Sequence, residues 1–198
     1  AEKIPLKIPN SEINKRVDFR GIPTFTIDPA DAKDYDDALS VKKLKNGNWE
    51  VGIHIADVSY YVKENSIIDV EASKRSTSIY LVDRVVPMLP EILSNDICSL
   101  KSGLDRLCYS VIIEINENSE ILSHQIKKSI IHSNKRFTYQ EAQDIIDNKK
   151  GLFLEELLIL NKISKNLRKK RFMNGSINFD RQEVKFILDK NNNPVDVF

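Results

Sequence analysis

The chain is short of cysteine, of glycine and of long apolar runs, and each shortage removes a class of protein. Its two cysteines, Cys98 and Cys108, cannot build a disulfide scaffold. They suit a reducing compartment, so a cytoplasmic location is expected. The six glycines are scattered, and none opens a Gly-x4-Gly-Lys loop of the kind that cradles nucleoside triphosphates. No apolar stretch reaches the roughly 20 residues of a membrane helix, and no signal-peptide pattern opens the chain, so neither a span nor secretion is indicated. Charge of one sign is not in excess either. Thirty Lys and Arg against 29 Asp and Glu leave a net charge of +1, which does not by itself mark a nucleic-acid binder. With 41% hydrophobic residues in 198, the composition is that of one sizeable globular domain.

What the chain does have is a concentration of acid. Asp28, Asp31, Asp34, Asp36 and Asp37 fall within ten residues, beside the single Lys33. The segment before them, 23–27, reads as a strand, and alternation resumes at Ala38. The aspartates therefore occupy a loop pinned between two strands. Crowded carboxylates disfavour one another's ionisation, and hard divalent cations relieve the repulsion; the bland reading is a solvated acidic loop. An EF-hand needs Gly at position 6 and Glu at position 12 of its loop. Starting from Asp28 these positions hold Lys33 and Leu39; starting from Asp34 they hold Leu39 and Lys45. Calcium of that type is excluded, and the absence of His and Cys from the cluster argues against zinc. Oxygen-only ligands suit Mg²⁺, which keeps its waters and shares its shell with substrate phosphate. The chemistry indicated is phosphoryl transfer or phosphodiester hydrolysis.

The rest reads as an α+β fold: a mixed, mostly antiparallel sheet flanked by helices. Residues 1–22, with Pro5 and Pro9, form an extended lead-in to a domain running over 23–198. Asn46-Gly47 predicts a hairpin with positive φ at both turn residues, joining 37–41 to 49–56. A short helix is expected over 70–75, a strand over 78–81, a proline-marked connection over 85–90 and a short helix over 91–96. Segments 106–115 and 121–131 form a second, longer hairpin. Thr138 and Glu141 make a capping box for a helix to about Asp147. Residues 151–173 form the longest helix, with Phe153, Leu157, Leu160, Ile163 and Leu167 facing inward. Its six late cations, from Lys162 to Arg171, either complement the helix dipole or contact a phosphate backbone. Strands are expected over 177–179, 183–188 and 195–198. His54 reads as a packed residue rather than a catalytic one. Asp57 reads as a turn former, or else as an outlier of the acidic centre.

The blocks Asp28-Pro-Ala-Asp-Ala-Lys-Asp34-Tyr-Asp36-Asp37, Gly52-Ile-His-Ile-Ala-Asp57, Arg75-Ser-Thr-Ser-Ile-Tyr80-Leu, Val86-Pro-Met-Leu-Pro90, Leu93-Ser-Asn-Asp-Ile-Cys-Ser-Leu100 and Asp105-Arg-Leu-Cys108 resemble, in order and spacing, the catalytic RNB domain of the ribonuclease R and ribonuclease II family. The resemblance runs from about Arg16 to Phe186 and is nearest the ribonuclease R branch. It implies an Mg²⁺-dependent 3′→5′ exoribonuclease that cuts single-stranded RNA to 5′-nucleoside monophosphates. Asp28, Asp34, Asp36 and Asp37 match the four acidic positions. Of these, Asp28, Asp34 and Asp37 are expected to hold the metal, and Asp36, with Asp34, to carry the catalytic role. Asp31 falls outside that set. Tyr80 matches an aromatic that stacks on a base near the 3′ end, the alternative being a core tyrosine; Phe179 matches a second such aromatic less closely. The family's phosphate-facing arginine lies in a later segment, and cold-shock-like and S1 domains flank its catalytic domain. The chain is thus expected to be the N-terminal part of a larger enzyme and inactive alone. An RNA-binding module without turnover is the alternative.

Overall fold

The computed structural model describes residues 7–178, 184, 186–191 and 193–197. In chain order these form α1 (Asn10–Ile13), β1 (Val17–Asp18), β2 (Thr24–Asp28), β3 (Asp37–Lys43), β4 (Trp49–Ala56), α2 (Val58–Tyr61), α3 (Ile67–Arg75), β5 (Ile79–Tyr80), β6 (Val85–Val86), a π-helical turn (Leu93–Ile97), β7 (Asp105–Ile115), β8 (Ile121–His132), β9 (Lys135–Thr138), α4 (Tyr139–Asn148), α5 (Leu154–Met173), β10 (Phe186–Leu188) and β11 (Pro194–Val197). A seven-stranded sheet runs β1-β8-β7-β4-β3-β2-β9. Only its outer pairs, β1 with β8 and β2 with β9, are parallel.

Strand alternation gives the sheet two different faces. On one, Phe25, Leu39, Val41, Val51 and Ile115 pack against Ala142 of α4 and Leu157, Ile163 and Leu167 of α5. Phe25 and Phe137 meet edge to face at 5.5 Å, and Phe153 stacks on Phe25. Burying such a side chain contributes about 1.5–3 kcal/mol. The other face sets a polar ladder among apolar groups, with Ala38, Ala56, Cys108 and Ile112 packing with Phe19 and Leu100. Ser40 Oγ lies 2.8 Å from His54 Nε2, His54 Nδ1 lies 2.6 Å from Ser110 Oγ, and Ser110 Oγ lies 2.5 Å from Ser129 Oγ. This buried ladder crosses β3, β4, β7 and β8, and every ring nitrogen and hydroxyl in it has a partner. Gly52 makes room for it, because a Cβ there would stand 2.5 Å from Ser40 Oγ and 2.6 Å from His54 Nε2.

Local chemistry departs from expectation in several places. The lead-in is not wholly extended: Pro9 precedes one helical turn at α1, a place where its missing N–H costs nothing. Val17–Asp18 then adds a parallel strand beside Ser129 and Ile130. Between β3 and β4 only Gly47 has positive φ, at 86°, and its N–H bonds Leu44 O. That is a type I turn closed by a left-handed glycine, not a turn with both residues left-handed. Val85–Val86 pairs with Ile79–Tyr80 as a small hairpin. The short helix expected over 91–96 widens into a π turn. Ile177 and Asn178 are outside any strand. Phe179, and residues 183 and 185 of the next expected strand, lie outside the described residues.

Candidate active site

Asp28 ends β2 and Asp37 begins β3, and the two strands pair antiparallel through Thr24 with Ser40 and Phe25 with Leu39. The loop between them, 29–36, is held at four points. Arg136 of β9 donates from Nη2 to Pro29 O at 2.5 Å and Ala30 O at 3.0 Å. Ser99 Oγ donates to Lys33 O at 2.9 Å and accepts from Tyr35 N–H at 3.0 Å, so it clamps both sides of Asp34. Leu100 N–H donates to Tyr35 O, and Ala56 N–H donates to Asp36 O, each at 2.9 Å. A loop tied this closely to strands places its side chains with little freedom.

Two of the acidic residues, Asp28 and Asp36, sit where a negative charge is disfavoured. Asp28 is buried at 8% exposure, and its Oδ2 has no hydrogen-bond partner. Burial raises its pKa, with Asp37 and Asp34 adding repulsion, while the nearby Thr26 hydroxyl and Arg136 oppose them. Asp36 is exposed by area, yet the surrounding protein raises its pKa, helped by Asp34, Asp37 and Asp28. Asp28 and Asp36 thus both feel the negative charge of the neighbouring carboxylates. Among the described residues, no three His, Cys, Asp or Glu side chains converge into a ready-made metal cage. The donor set still fits a hard divalent cation: all oxygen, one buried oxygen unsatisfied, and repulsion that positive charge would relieve.

Tyr80 is 71% exposed, which removes the core-tyrosine reading. It lines a cleft of about 590 Å³ whose other wall is Pro29 and 31–34 of the acidic loop, so Asp31, Lys33, Asp34 and Tyr80 face one space, with Arg84 at the hairpin turn, while Asp28, Asp36 and Asp37 are not among its lining residues. Asp34 and Tyr80 are thereby brought together from 46 positions apart, while Phe179 falls outside the described residues.

Two other candidates are structural. Burial lowers the His54 pKa to about 4, and both ring nitrogens are occupied within the ladder. Asp57 accepts from Ser59 Oγ and Tyr60 N–H as the cap of α2, and from Arg16 Nη2. Sequence reasoning missed Ser99, Arg136 and Arg16. Ser99 left a signal, since a hydroxyl between Cys98 and Leu100, both buried, must find a backbone partner. Arg136 and Arg16 left none.

An antiparallel-dominated sheet, helices on one face and a clamped carboxylate loop between adjacent strands define an α+β domain with an oxygen-donor site. The RNB domain family matches residues 16–198, and the chain belongs to that family, the family of ribonuclease R and ribonuclease II. Ribonuclease R 1 of Lactococcus lactis subsp. lactis is 44% identical over 206 residues, covering 100% of this chain and 25% of that protein. Ribonuclease R of Thermotoga maritima is 42% identical over 203 residues, covering 100% and 29%. The structure of Mycoplasma genitalium RNase R in complex with ribose methylated single-stranded RNA is similar at TM-score 0.86 and 31% identity, covering 97% of this chain and 31% of that one. The chain thus spans about a quarter to a third of the length of these relatives.

Proposed function

We propose that this chain is the N-terminal part of the catalytic domain of an Mg²⁺-dependent 3′→5′ exoribonuclease that shortens single-stranded RNA to 5′-nucleoside monophosphates. The observation that carries this reading is the cleft shared by Asp34 and Tyr80, with an exposed aromatic ring opposite an acidic loop. Tyr80 stacks on a base near the 3′ end, a contact worth about 1–3 kcal/mol that tolerates any sequence. Asp28, Asp34 and Asp37 hold the cation, and Asp36 carries the role most sensitive to loss. The Mg²⁺, when bound, neutralises charge on the phosphodiester and activates water. Ser99 and Arg136 keep the loop in place while RNA moves past. Cold-shock-like and S1 domains are the expected neighbours, and the cytoplasm the expected location.

The test is a 5′-labelled oligo(A) incubated with the protein and Mg²⁺, with EDTA as control. Stepwise shortening from the 3′ end by a longer protein containing this chain, with negligible shortening by residues 1–198 alone, is the expected result. RNA that is bound but never shortened would replace the reading with an RNA-holding module.

A further inference from the structure

We propose that the outward face of α5 is a second RNA-binding surface, remote from the acidic loop, that grips the phosphate backbone upstream of the 3′ end. The inference rests on the RNA reading above. Between Leu157 and Asn178 the chain has six cations, Lys162, Lys165, Arg168, Lys169, Lys170 and Arg171, and no acid. All six are exposed. Leu157, Ile163 and Leu167 turn one side of the helix to the sheet, which leaves Lys162, Lys165 and Lys169 on the solvent side as one stripe at helical spacing. The stripe is about 10 Å long at 1.5 Å per residue.

Two ordinary explanations cover only the end of this run. The helix dipole acts within the last turn, where Lys170 and Arg171 lie. Lys170 Nζ also donates to the carbonyls of Asn118 and Ser119. Lys162 and Lys165 stand well before that turn, and neither they nor Arg168 and Lys169 form an ion pair with any described residue. Lys165 has Lys162 and Arg168 three positions away and Lys169 four positions away, all of like charge and mutually destabilising. A helix that keeps such a stripe in a chain of net charge +1 has its complement elsewhere, and the complement of regularly spaced exposed cations is a polyanion.

The surface is separate from the cleft. The C-terminal half of α5 packs on Val41, Val51, Trp49 and Ile115, at the end of β3 away from Asp37. The four residue steps from Asp37 to Val41 along β3 amount to about 13 Å. Asp28 alternates with Thr26 and Thr24, away from the α5 side on which Phe25 lies. RNA that only fills the cleft does not reach the stripe; a longer strand can.

The experiment is fluorescence anisotropy in EDTA with oligo(A) of 5 and of 25 nucleotides across a salt series, comparing the protein with its Lys162→Ala/Lys165→Ala/Lys169→Ala variant. Alanine is the better helix former and removes like-charge contacts, so the helix is retained. The 25-mer is expected to bind about 10-fold or more weakly, with the slope of log K against log salt reduced by about 2, while the 5-mer is unaffected. A Lys→Glu triple variant should lose more. Unchanged 25-mer binding, or an equal loss for both lengths, overturns the inference. Failure of the exoribonuclease reading is distinguishable, because RNA would then stay intact with Mg²⁺ while 25-mer binding still depended on the stripe.

Discussion

Arg16 Nη2 meets Asp57 Oδ2 at 2.7 Å with both side chains fully buried. The same guanidinium donates to the carbonyls of Cys108 and Ser129, and Asp57 follows directly on Ala56, whose N–H holds Asp36 O. A residue at the start of the chain therefore steadies the strand end on which the acidic loop hangs. Removing one partner of a buried pair leaves an uncompensated charge. Arg16→Ala is expected to cost about 3–5 kcal/mol in urea unfolding, whereas removing both charged partners with apolar replacements costs less.

Asp36→Asn keeps the shape of the loop and removes one charge. Hydrolysis should collapse while RNA binding holds or improves, because phosphate meets less repulsion; near-native turnover would remove this loop from the chemistry. The metal-free protein gives a second readout. Folding raises the Asp36 pKa, so this group favours the fold below about 3.8, its unfolded value, and that contribution is lost as pH rises through the folded pKa. At neutral pH without metal, Asp36→Asn should therefore melt higher than wild type.

Tyr80→Ala should leave longer end products on a denaturing gel, since the last nucleotides depend on stacking more than on a long backbone track. Its melting temperature should change little, because the ring is exposed.

Ser99→Ala removes both bonds that flank Asp34. A loose loop misplaces the carboxylate, and small misplacements are costly in rate. The expected signature is a fall in kcat and a higher Mg²⁺ concentration for half-maximal activity, with RNA affinity in EDTA unchanged. Loss of RNA binding to the same degree would point to general unfolding instead.

The buried His54 should make the protein acid-sensitive. Its folded pKa, lowered to about 4, lies below the unfolded value of about 6.5, so the unfolded state takes up the proton first. The stability from burying a neutral ring is full above about pH 6.5 and is lost as pH falls toward 4. Chemical denaturation from pH 7 to pH 4 should show a slope of up to about 1.4 kcal/mol per pH unit from this group, flattened in His54→Gln.

The elements written in local chemistry were legible from sequence. Thr138 and Glu141 form both bonds of their capping box, at 3.0 and 2.7 Å, and the 3–4 spacing of Leu157, Leu160, Ile163 and Leu167 faces the sheet as expected. So does the placement of the aspartates between paired strands. Features that depend on distant partners were hidden. β9 is four residues long and finds its place only beside β2. The widening at Leu93–Ile97 accompanies Arg106 reaching back to Asp96 O and Ser99 O, which no periodicity announces. Ser99 and Arg136 act on a loop 64 and 107 positions away, so no sequence window contains both ends of the clamp.

The polar ladder beneath the sheet has a direction. Ser129 Oγ donates to Cys108 O, an atom that can only accept, so its one proton is spent and it must receive from Ser110. Ser110 then has no proton left for the imidazole, and His54 Nδ1 must be the donor to it. That leaves Nε2 bare, to receive from Ser40. One carbonyl on β7 thus dictates the tautomer of a ring on the neighbouring strand. Four residues far apart in sequence are threaded into a single head-to-tail sequence of dipoles. Ser129→Ala would cut its terminus and let the ring choose either form, visible as a shift in the imidazole ¹⁵N resonances.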